Sequence, residues 1–336
     1  MIDQDPRREI AFTRNEALEE LLTELNSAMG NAERTLELPV APSLPVIFVV
    51  GPPRSGTTLV TQWLAASGRL AWPTNLLSRF YAAPYLGARI QQLLTDPRFN
   101  YRNELLGEHS VASFDSDLGK TRGLLQPNEF WYFWRRFFPL RWPEPLSAEQ
   151  VAEVDGCGFV AGLAAIEAAF GKPFAAKAML LQYNLTLLAE LLPTSIFLHV
   201  HRDPVDNGLS ILRARERFWG TNTHWYSARP PGTEDLLDRD PFEQVAGQIL
   251  FTHRSIDAEL RALPAYRTLR IDYESFCRDT APTWSALVER CARQGFALDA
   301  EHDAPRTFSA QKPHASAEVR SQLAAALQRV MAGSAG

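Results

Sequence analysis

The segment VVGPPRSGTT, residues 49–58, constrains the fold of this 336-residue chain more than any other. It follows VIFVV (46–50), a run rich in β-branched residues that is typical of a buried parallel strand. It leads into TTLVTQWLAAS, which is predicted to be a helix ending at Gly68. A glycine-rich turn between such a strand and a helix presents backbone N–H groups at the positive end of the helix dipole. The segment therefore predicts an α/β fold with a loop that suits an anion.

The loop departs from the Walker pattern GxxxxGK[ST] at its cation. Gly51 and Gly56 have the Walker spacing, and Thr58 stands at the magnesium-binding hydroxyl, but Thr57 occupies the lysine position. The cation of the loop is Arg54, three residues earlier. Such a loop fits an anionic group that does not need a magnesium triphosphate clamp.

The rest of the chain alternates predicted strands with predicted helices. Further strands are expected at PFAAK (173–177), TSIFLHVHRDP (194–204) and RTLRIDYESF (267–276), the last two running into helices. This order implies a central parallel sheet flanked by helices, in a single domain of residues 1–336. An amphipathic helix is predicted at residues 13–29. Residues 72–145 are dense in aromatic residues and proline and lack strand alternation, which predicts a helical, aromatic-rich insert or lid.

Composition excludes several classes of function. A net charge of −5 argues against a nucleic-acid or anionic-membrane surface. The cysteines are odd in number and lack CxxC spacing, which argues against a disulfide framework or a cysteine zinc site and favours a reducing, cytoplasmic location; they are Cys157, Cys277 and Cys291. No targeting segment or membrane span is predicted.

Two stretches carry a resemblance to a known family. GPPRSGTT resembles the 5′-phosphosulfate loop, PxxGTT, of the sulfotransferases that use 3′-phosphoadenosine 5′-phosphosulfate (PAPS), with Arg54 at the cationic position. RDPVDNGLS resembles the 3′-phosphate motif of that family, with Arg202 at a strand end and Ser210 eight residues later. An arginine fork binds phosphate in a bidentate manner, and a serine two helical turns further on can reach the same ligand. The resemblance implies the P-loop-like sulfotransferase fold, in a bacterial small-molecule or tyrosylprotein-like branch.

The resemblance also implies which residues bind the donor and act on it. Tyr273 in RIDYESF matches the tyrosine beside the adenine, and Lys177 matches the second active-site lysine. The 5′ end of PAPS would be held by Pro53, Arg54, Ser55, Gly56, Thr57 and Thr58.

Structural alternatives stay open for single residues. Arg202 could instead pair with Asp206 on the helix surface. Lys177 could be an exposed residue at a strand end, and Tyr273 could be a core tyrosine.

The general base of the family is not found at its usual positions. Met179 replaces the histidine that follows the lysine in the phenol and steroid branch, and WPTNLLSRF has Thr74 and Asn75 instead of the glutamate of the tyrosylprotein branch. Glu129 in QPNEFWYF and His109 in GEHSVASF are the candidates. A carboxylate among aromatic residues can have a raised pKa and accept a proton near neutral pH. The alternatives are a first-turn helix carboxylate for Glu129 and a structural histidine for His109.

The predicted reaction is transfer of the sulfonate of PAPS to a hydroxyl or amine of an acceptor, with a hydrophobic small molecule favoured and no metal required. Two alternatives remain. One is a P-loop kinase or nucleotide hydrolase, against which the missing lysine and the missing acidic residue at the end of IFLHVHRD argue. The other is a catalytically silent nucleotide-binding module.

Overall fold

The computed structural model describes residues 13, 15–100, 102 and 114–333. The strands in chain order are β1 (Val46–Val50), β2 (Ser116–Asp117), β3 (Lys120–Thr121), β4 (Phe174–Lys177), β5 (Ser195–His201) and β6 (Thr268–Asp272). The helices are α1 (Glu16–Glu33), α2 (Thr57–Ala66), α3 (Pro84–Thr95), α4 (Trp131–Trp134), α5 (Ala148–Ala152), α6 (Gly156–Phe170), α7 (Leu185–Leu191), α8 (Pro204–Trp219), α9 (Pro241–Arg261), α10 (Tyr273–Arg278), α11 (Ala281–Arg293) and α12 (Ala317–Gly333).

The central sheet has four parallel strands in the order β4-β1-β5-β6. It confirms the predicted parallel sheet flanked by helices. Strand β1 lies between β4 and β5, with Val46 opposite both Phe174 and Ser195. Every residue of β1 is buried. Because parallel strands with helices on both faces bury every side chain, β1 is a continuous apolar run instead of an alternating one.

Alternate residues of β1 contribute to two different cores. Phe48 belongs to the core on one face, where it stacks on Phe197 of β5 at 5.7 Å between ring centroids. Ile47 and Val49 belong to the core on the other face, which includes Trp63 of α2. A third apolar cluster joins α8, α9 and α12. In the described part of the chain, no helix combines the length and the apolar character that a bilayer crossing requires.

The described part of the insert contains helices, as predicted, including α3 and α4, but much of it is irregular and it also contains the β2–β3 hairpin. Leu118 and Gly119 at the hairpin tip have φ values of +49° and +87°, as the favoured two-residue hairpin turns require. Two-residue strands are too short to show alternation in the sequence. Most of the aromatic run packs in the core, since these residues are buried: Phe130, Phe133, Trp134, Phe137 and Phe138.

The predicted amphipathic helix exists with shifted ends. It begins at Glu16, after Asn15, whose side-chain oxygen accepts the N–H of Leu18. An asparagine in this position caps a helix by satisfying a free backbone donor. The helix ends at Glu33, four residues beyond the prediction.

Candidate active site

The loop after β1 depends on its two glycines. Gly51 has φ +151°, and a Cβ at this position would lie 2.8 Å from the carbonyl oxygen of Val200. Gly56 has φ +105°, and a Cβ there would collide with the ring of Tyr273. The close approach of the loop backbone to β5 and to Tyr273 therefore requires glycine at both positions.

Arg54 joins the two motifs that the sequence singled out. Its Nε donates a hydrogen bond to Ser210 Oγ at 3.3 Å, and its carbonyl accepts one from Arg202 Nη1 at 2.9 Å. Burial lowers the pKa of the Arg54 guanidinium, and the charge of Arg202 acts in the same direction. Two neighbouring arginines form a concentration of positive charge that favours an anionic ligand.

Arg202 stacks on Tyr273 instead of pairing with Asp206. Its guanidinium carbon lies 4.9 Å from the centroid of the Tyr273 ring, and its Nη2 donates to the carbonyl of Gln311. Asp206 pairs with Arg320 at 2.7 Å, so the predicted surface-pair alternative is wrong. The Nε of Arg202 is buried and has no hydrogen-bond partner within the described residues. A buried donor without a partner is costly, and it marks a place for a polar ligand.

Lys177 is buried at the end of β4, so the alternative of an exposed strand end is wrong. Its Nζ lies 2.5 Å from Glu129 Oε1 and 3.3 Å from Thr58 Oγ1. The turn of the hairpin covers this contact, since a Cβ at Gly119 would lie 3.4 Å from the lysine Nζ. Lys177 therefore connects the first loop to the insert.

Glu129 precedes α4 and is held in place by its neighbours. Asn128 donates from Nδ2 to Asn75 Oδ1 at 2.8 Å, and Asn75 donates to Thr121 Oγ1 of β3 at 3.1 Å. Helix α4 begins at Trp131, with Phe130 as its N-cap residue in the left-handed conformation. The carboxylate of Glu129 thus lies outside the first helical turn and pairs with a lysine.

A cleft of about 1950 Å³ contains the proposed donor residues and a second, aromatic region. One end is lined by Pro53, Arg54, Gly56, Thr57, Thr58, Arg202 and Tyr273, and by the Lys177–Glu129 pair. The aromatic region is lined by Trp131, Tyr132, Trp142, Phe218, Trp219, Trp225 and Tyr226. Ser55 and Ser210 do not line the cleft; the N–H of Ser55 donates within the loop, to Pro52.

Residues 45–296 match the family described as the sulfotransferase family, which covers well over half of the chain. The chain belongs to the sulfotransferase family. A search among curated proteins finds no match.

Two solved sulfotransferase structures are similar to this sulfotransferase. STF9 from Mycobacterium avium aligns with a TM-score of 0.52 at 15% identity, covering 98% of this chain and 79% of that chain. STF1 from Mycobacterium tuberculosis H37Rv aligns with a TM-score of 0.45 at 12% identity, covering 90% of this chain and 76% of that chain. The likeness to STF9 supports the P-loop-like fold.

Two buried amides of this sulfotransferase support the loop and were missed from the sequence. Asn207 donates to the carbonyl of Pro53 at 2.7 Å, and Gln182 accepts the N–H of Gly51 at 3.2 Å. Both are fully buried. Their signal in the sequence is an amide within an apolar helical segment close to a predicted strand end. His109, the second base candidate, lies outside the described residues.

Tyr226 is a further residue of the cleft that the sequence did not single out. Its hydroxyl donates to the carbonyl of Leu118 at the hairpin tip, at 3.4 Å. Burial raises the pKa of the Tyr226 hydroxyl to about 12, against the opposing effect of Arg54. The hydroxyl therefore stays protonated and links the hairpin to the wall of the cleft.

Proposed function

We propose that this sulfotransferase moves the sulfonate of PAPS to a hydroxyl or amine of a hydrophobic small-molecule acceptor. The observation that carries the proposal is the convergence of the two phosphate motifs on one cleft. Arg54 contacts Ser210 at 3.3 Å and Arg202 at 2.9 Å, although 148 or more residues separate the partners in sequence. A single nucleotide with phosphates at its 5′ and 3′ ends would use both motifs.

The first loop suits the 5′-phosphosulfate end of the donor. Helix α2 begins at Thr57 and has no acidic residue in its first turn, so the positive end of its dipole is free to favour an anion. A side chain at position 56 would collide with the Tyr273 ring, and glycine leaves the loop backbone close to the cleft. Arg54 and the hydroxyl groups of Thr57 and Thr58 would complete the binding site.

Arg202 would bind the 3′-phosphate, which distinguishes PAPS from ATP. Its buried Nε has no hydrogen-bond partner among the described residues, and such a phosphate would satisfy this donor. Ser210 would act through Arg54, which it contacts, since it does not line the cleft. Tyr273 lies against both the loop and Arg202, where its ring would contact the adenine.

The Lys177–Glu129 pair would perform the chemistry. The bound donor supplies a sulfonate whose bond to the bridging oxygen of the 5′-phosphate breaks while the acceptor oxygen or nitrogen forms a new bond to sulfur. Arg54 and Lys177 would stabilise the negative charge that grows on the bridging oxygen. Glu129 would take the proton of the acceptor. Both roles require Lys177 to leave Glu129 and to contact the bound donor instead. Thr58 Oγ1, 3.3 Å from Lys177 Nζ, would remain a hydrogen-bond partner of the lysine while its other contact changes.

The aromatic region of the cleft would bind the acceptor. Arg135 lies 4.7 Å from the Trp131 ring centroid, and Arg229 lies 5.8 Å from the Trp142 ring centroid. Stacked arginines hold indole rings in fixed positions. Flat apolar walls of this kind suit a planar or hydrocarbon acceptor.

A location in a reducing compartment, the cytoplasm, is part of the proposal. The three cysteines are free thiols, with Cys277 and Cys291 buried and Cys157 exposed. Buried thiols without a partner cysteine are typical of proteins that stay in a reducing environment.

Transfer from labelled donors tests the reaction. The purified chain is incubated with labelled PAPS or labelled MgATP and a panel of phenols, alcohols and amines. We expect label on an acceptor from PAPS, also with a chelator present. Transfer from MgATP alone would support the kinase alternative and contradict the proposal.

Calorimetry with two nucleotides tests the role of Arg202. Arg202→Ala is expected to weaken binding of adenosine 3′,5′-bisphosphate and to leave adenosine 5′-monophosphate nearly unchanged, because only the first has a 3′-phosphate. Arg213→Ala is the matched control, since Arg213 is an exposed arginine on α8, the helix that follows Arg202, and donates to the carbonyl of His314. Equal losses for the two nucleotides would exclude Arg202 as the 3′-phosphate residue.

A further inference from the structure

Three histidines and an aspartate meet between β5 and α9, outside the cleft. His199 and His201 are on β5, and His253 and Asp257 are on α9. His199 Nε2 lies 2.9 Å from His253 Nδ1, and His199 Nδ1 lies 3.1 Å from both His201 Nε2 and Asp257 Oδ1. None of the four lines the cleft described above.

The spacing of these residues explains why they meet. Residues two apart on a strand point to the same face, which puts His199 and His201 side by side. Residues four apart on a helix share a face, which aligns His253 with Asp257. With α9 lying on this face of β5, one ring nitrogen from each histidine lies within 4.8 Å of the others.

We propose that His199, His201 and His253 form a binding site for a divalent transition metal ion of the zinc class. Zinc takes three or four ligands and binds imidazole nitrogen at about 2.0–2.1 Å, so tetrahedral ligand nitrogens lie about 3.3 Å apart. The separation of 2.9 Å between His199 and His253 needs to widen by only a few tenths of an ångström.

Asp257 stands where a carboxylate that orients a metal ligand is expected. A histidine that binds a metal usually donates its other ring N–H to a carboxylate. Asp257 Oδ1 lies 3.1 Å from His199 Nδ1, and this leaves His199 Nε2 facing His253. The rings of His201 and His253 are parallel within 9°, with centroids 4.2 Å apart, so a nitrogen of His201 can turn toward the same point.

The cluster has an unresolved hydrogen-bond conflict that a cation would relieve. His199 Nδ1 lies within hydrogen-bond distance of both His201 Nε2 and Asp257 Oδ1, and this nitrogen carries at most one proton. Burial lowers the pKa of His201 to about 3 and that of His253 to about 2, and it lowers that of His199 as well. Burial thus favours the neutral form of the three rings, and neutral imidazole is the form that binds a metal.

Of the charged groups around the cluster, one favours a bound cation and another opposes it. Asp257 favours a cation, and its carboxylate is about half exposed, so solvent reaches this edge. Arg270 on β6 is aligned with His199 across the sheet and opposes a cation. Because Arg270 is exposed, solvent screens its charge more than that of a group inside the cluster.

Calorimetry with zinc tests the site. Untagged chain is freed of metal with a chelator, transferred to chelator-free buffer and titrated with zinc chloride. We expect one ion per chain in the wild type, and binding at least tenfold weaker in His201→Ala and in His253→Ala. Asp257→Asn should weaken binding by about 10- to 100-fold, as is typical for such carboxylates. His314→Ala, at an exposed histidine outside the cluster, is the matched control and should bind as the wild type does.

Thermal unfolding gives a second readout that does not depend on sulfonate transfer. Zinc should raise the unfolding temperature of the wild type and of His314→Ala, but not that of His253→Ala, because only a ligand that binds the folded state stabilises it. If His253→Ala does not fold, His201→Asn at the partly exposed edge takes its place. The proposal would be overturned if the wild type bound zinc no more tightly than the variants of the cluster. It would also be overturned if His314→Ala weakened zinc binding as much as those variants do.

Discussion

The contact between Lys177 and Glu129 is the residue-scale feature on which the proposed chemistry depends most. Glu129→Gln keeps the shape of the side chain but removes the proton acceptor. We expect turnover to fall by about 10² to 10⁴, the range for a general base, with little change in the affinity for adenosine 3′,5′-bisphosphate. Steady-state kinetics and calorimetry measure the two effects. Glu289→Gln on the exposed surface of α11 is the control.

An unchanged turnover in Glu129→Gln would leave the carboxylate as only a partner of Lys177. In that case Lys177→Met should still lower turnover, because the lysine would stabilise the leaving oxygen without help from the glutamate. The two variants therefore separate the two proposed roles of the pair.

Arg54 is the second residue whose removal should act on turnover. Arg54→Ala is expected to lower turnover by roughly 10² to 10³, the loss for one preorganised donor. Arg54 has φ +65°, so alanine meets the same backbone constraint as arginine and the loop should keep its shape. Arg54→Lys should retain part of the activity, because the charge remains while the fork geometry is lost. Near-normal turnover in a folded Arg54→Ala chain would remove Arg54 from the mechanism.

Residue identities were predictable where a motif encoded them, and partners were not. Arg54 and Arg202 were predicted from motifs at a loop and at a strand end, and Lys177 from its match to the family's second active-site lysine; all three line one cleft. The pairing of Lys177 with Glu129 joins positions 48 residues apart, through the hairpin and the asparagines that hold it. Such a contact depends on how the insert packs, which no periodicity records.

At the scale of elements, the glycine loop and α10 are packed against each other. A substitution at Gly56 is therefore expected to destabilise the fold. In Gly56→Ala the new methyl group collides with the Tyr273 ring, in addition to the cost of a left-handed backbone. We expect the free energy of unfolding to fall by about 1–3 kcal/mol, measured by urea denaturation.

Gly171→Ala is a matched control for the backbone cost alone. Gly171 has φ +63°, and a Cβ there meets nothing within 4 Å. We expect the free energy of unfolding of Gly171→Ala to be lower than that of the wild type by about 1 kcal/mol. Equal losses at Gly56 and Gly171 would mean that Tyr273 moves freely and that the loop does not depend on the contact.

The elements themselves were predictable in proportion to their length and burial. Strand β1 is an apolar run of five residues, and β5 is a seven-residue strand with Ile, Phe, Leu and Val between its polar residues; these patterns are sufficient to predict both strands. The β2–β3 hairpin consists of two-residue strands, and its identity depends on the backbone of Leu118 and Gly119. The existence of helix α1 was predicted but its ends were not, since its start is set by the cap at Asn15.

At the scale of the whole molecule, we propose that residues 1–336 form one domain that unfolds with its donor site. Strands β1 and β5 contribute to the cores on both faces of the sheet, so neither core can open alone. Adenosine 3′,5′-bisphosphate at about 100 times its Kd should then stabilise the fold by about 2.7 kcal/mol. It should also raise the midpoint temperature of a single unfolding transition. A second transition in calorimetry that the ligand leaves unmoved would contradict this prediction.

Acidification should destabilise the whole chain through its buried histidines. In the folded state burial lowers the pKa of His201 to about 3 and that of His253 to about 2, while unfolded histidine titrates near 6.5. Between these values the unfolded chain binds more protons than the folded chain, so the free energy of unfolding decreases as the pH falls. This contribution is fully present above about pH 6.5 and is lost progressively below it.

Urea denaturation at pH 7, 6 and 5, with a chelator present, measures this effect without any metal. The double variant His201→Asn/His253→Asn removes two of the groups, so its stability should depend on pH less steeply than that of the wild type, by a difference that approaches about two protons per chain at pH 5. His314→Asn, at an exposed histidine outside the cluster, is the control and should keep the wild-type slope. Carboxylates also lose their charge near the lower end of this pH range, so the outcome is decided by comparing the slopes of the variants. Equal slopes for the wild type and the double variant would contradict the prediction. They would show that the cluster opens to solvent before the fold is lost.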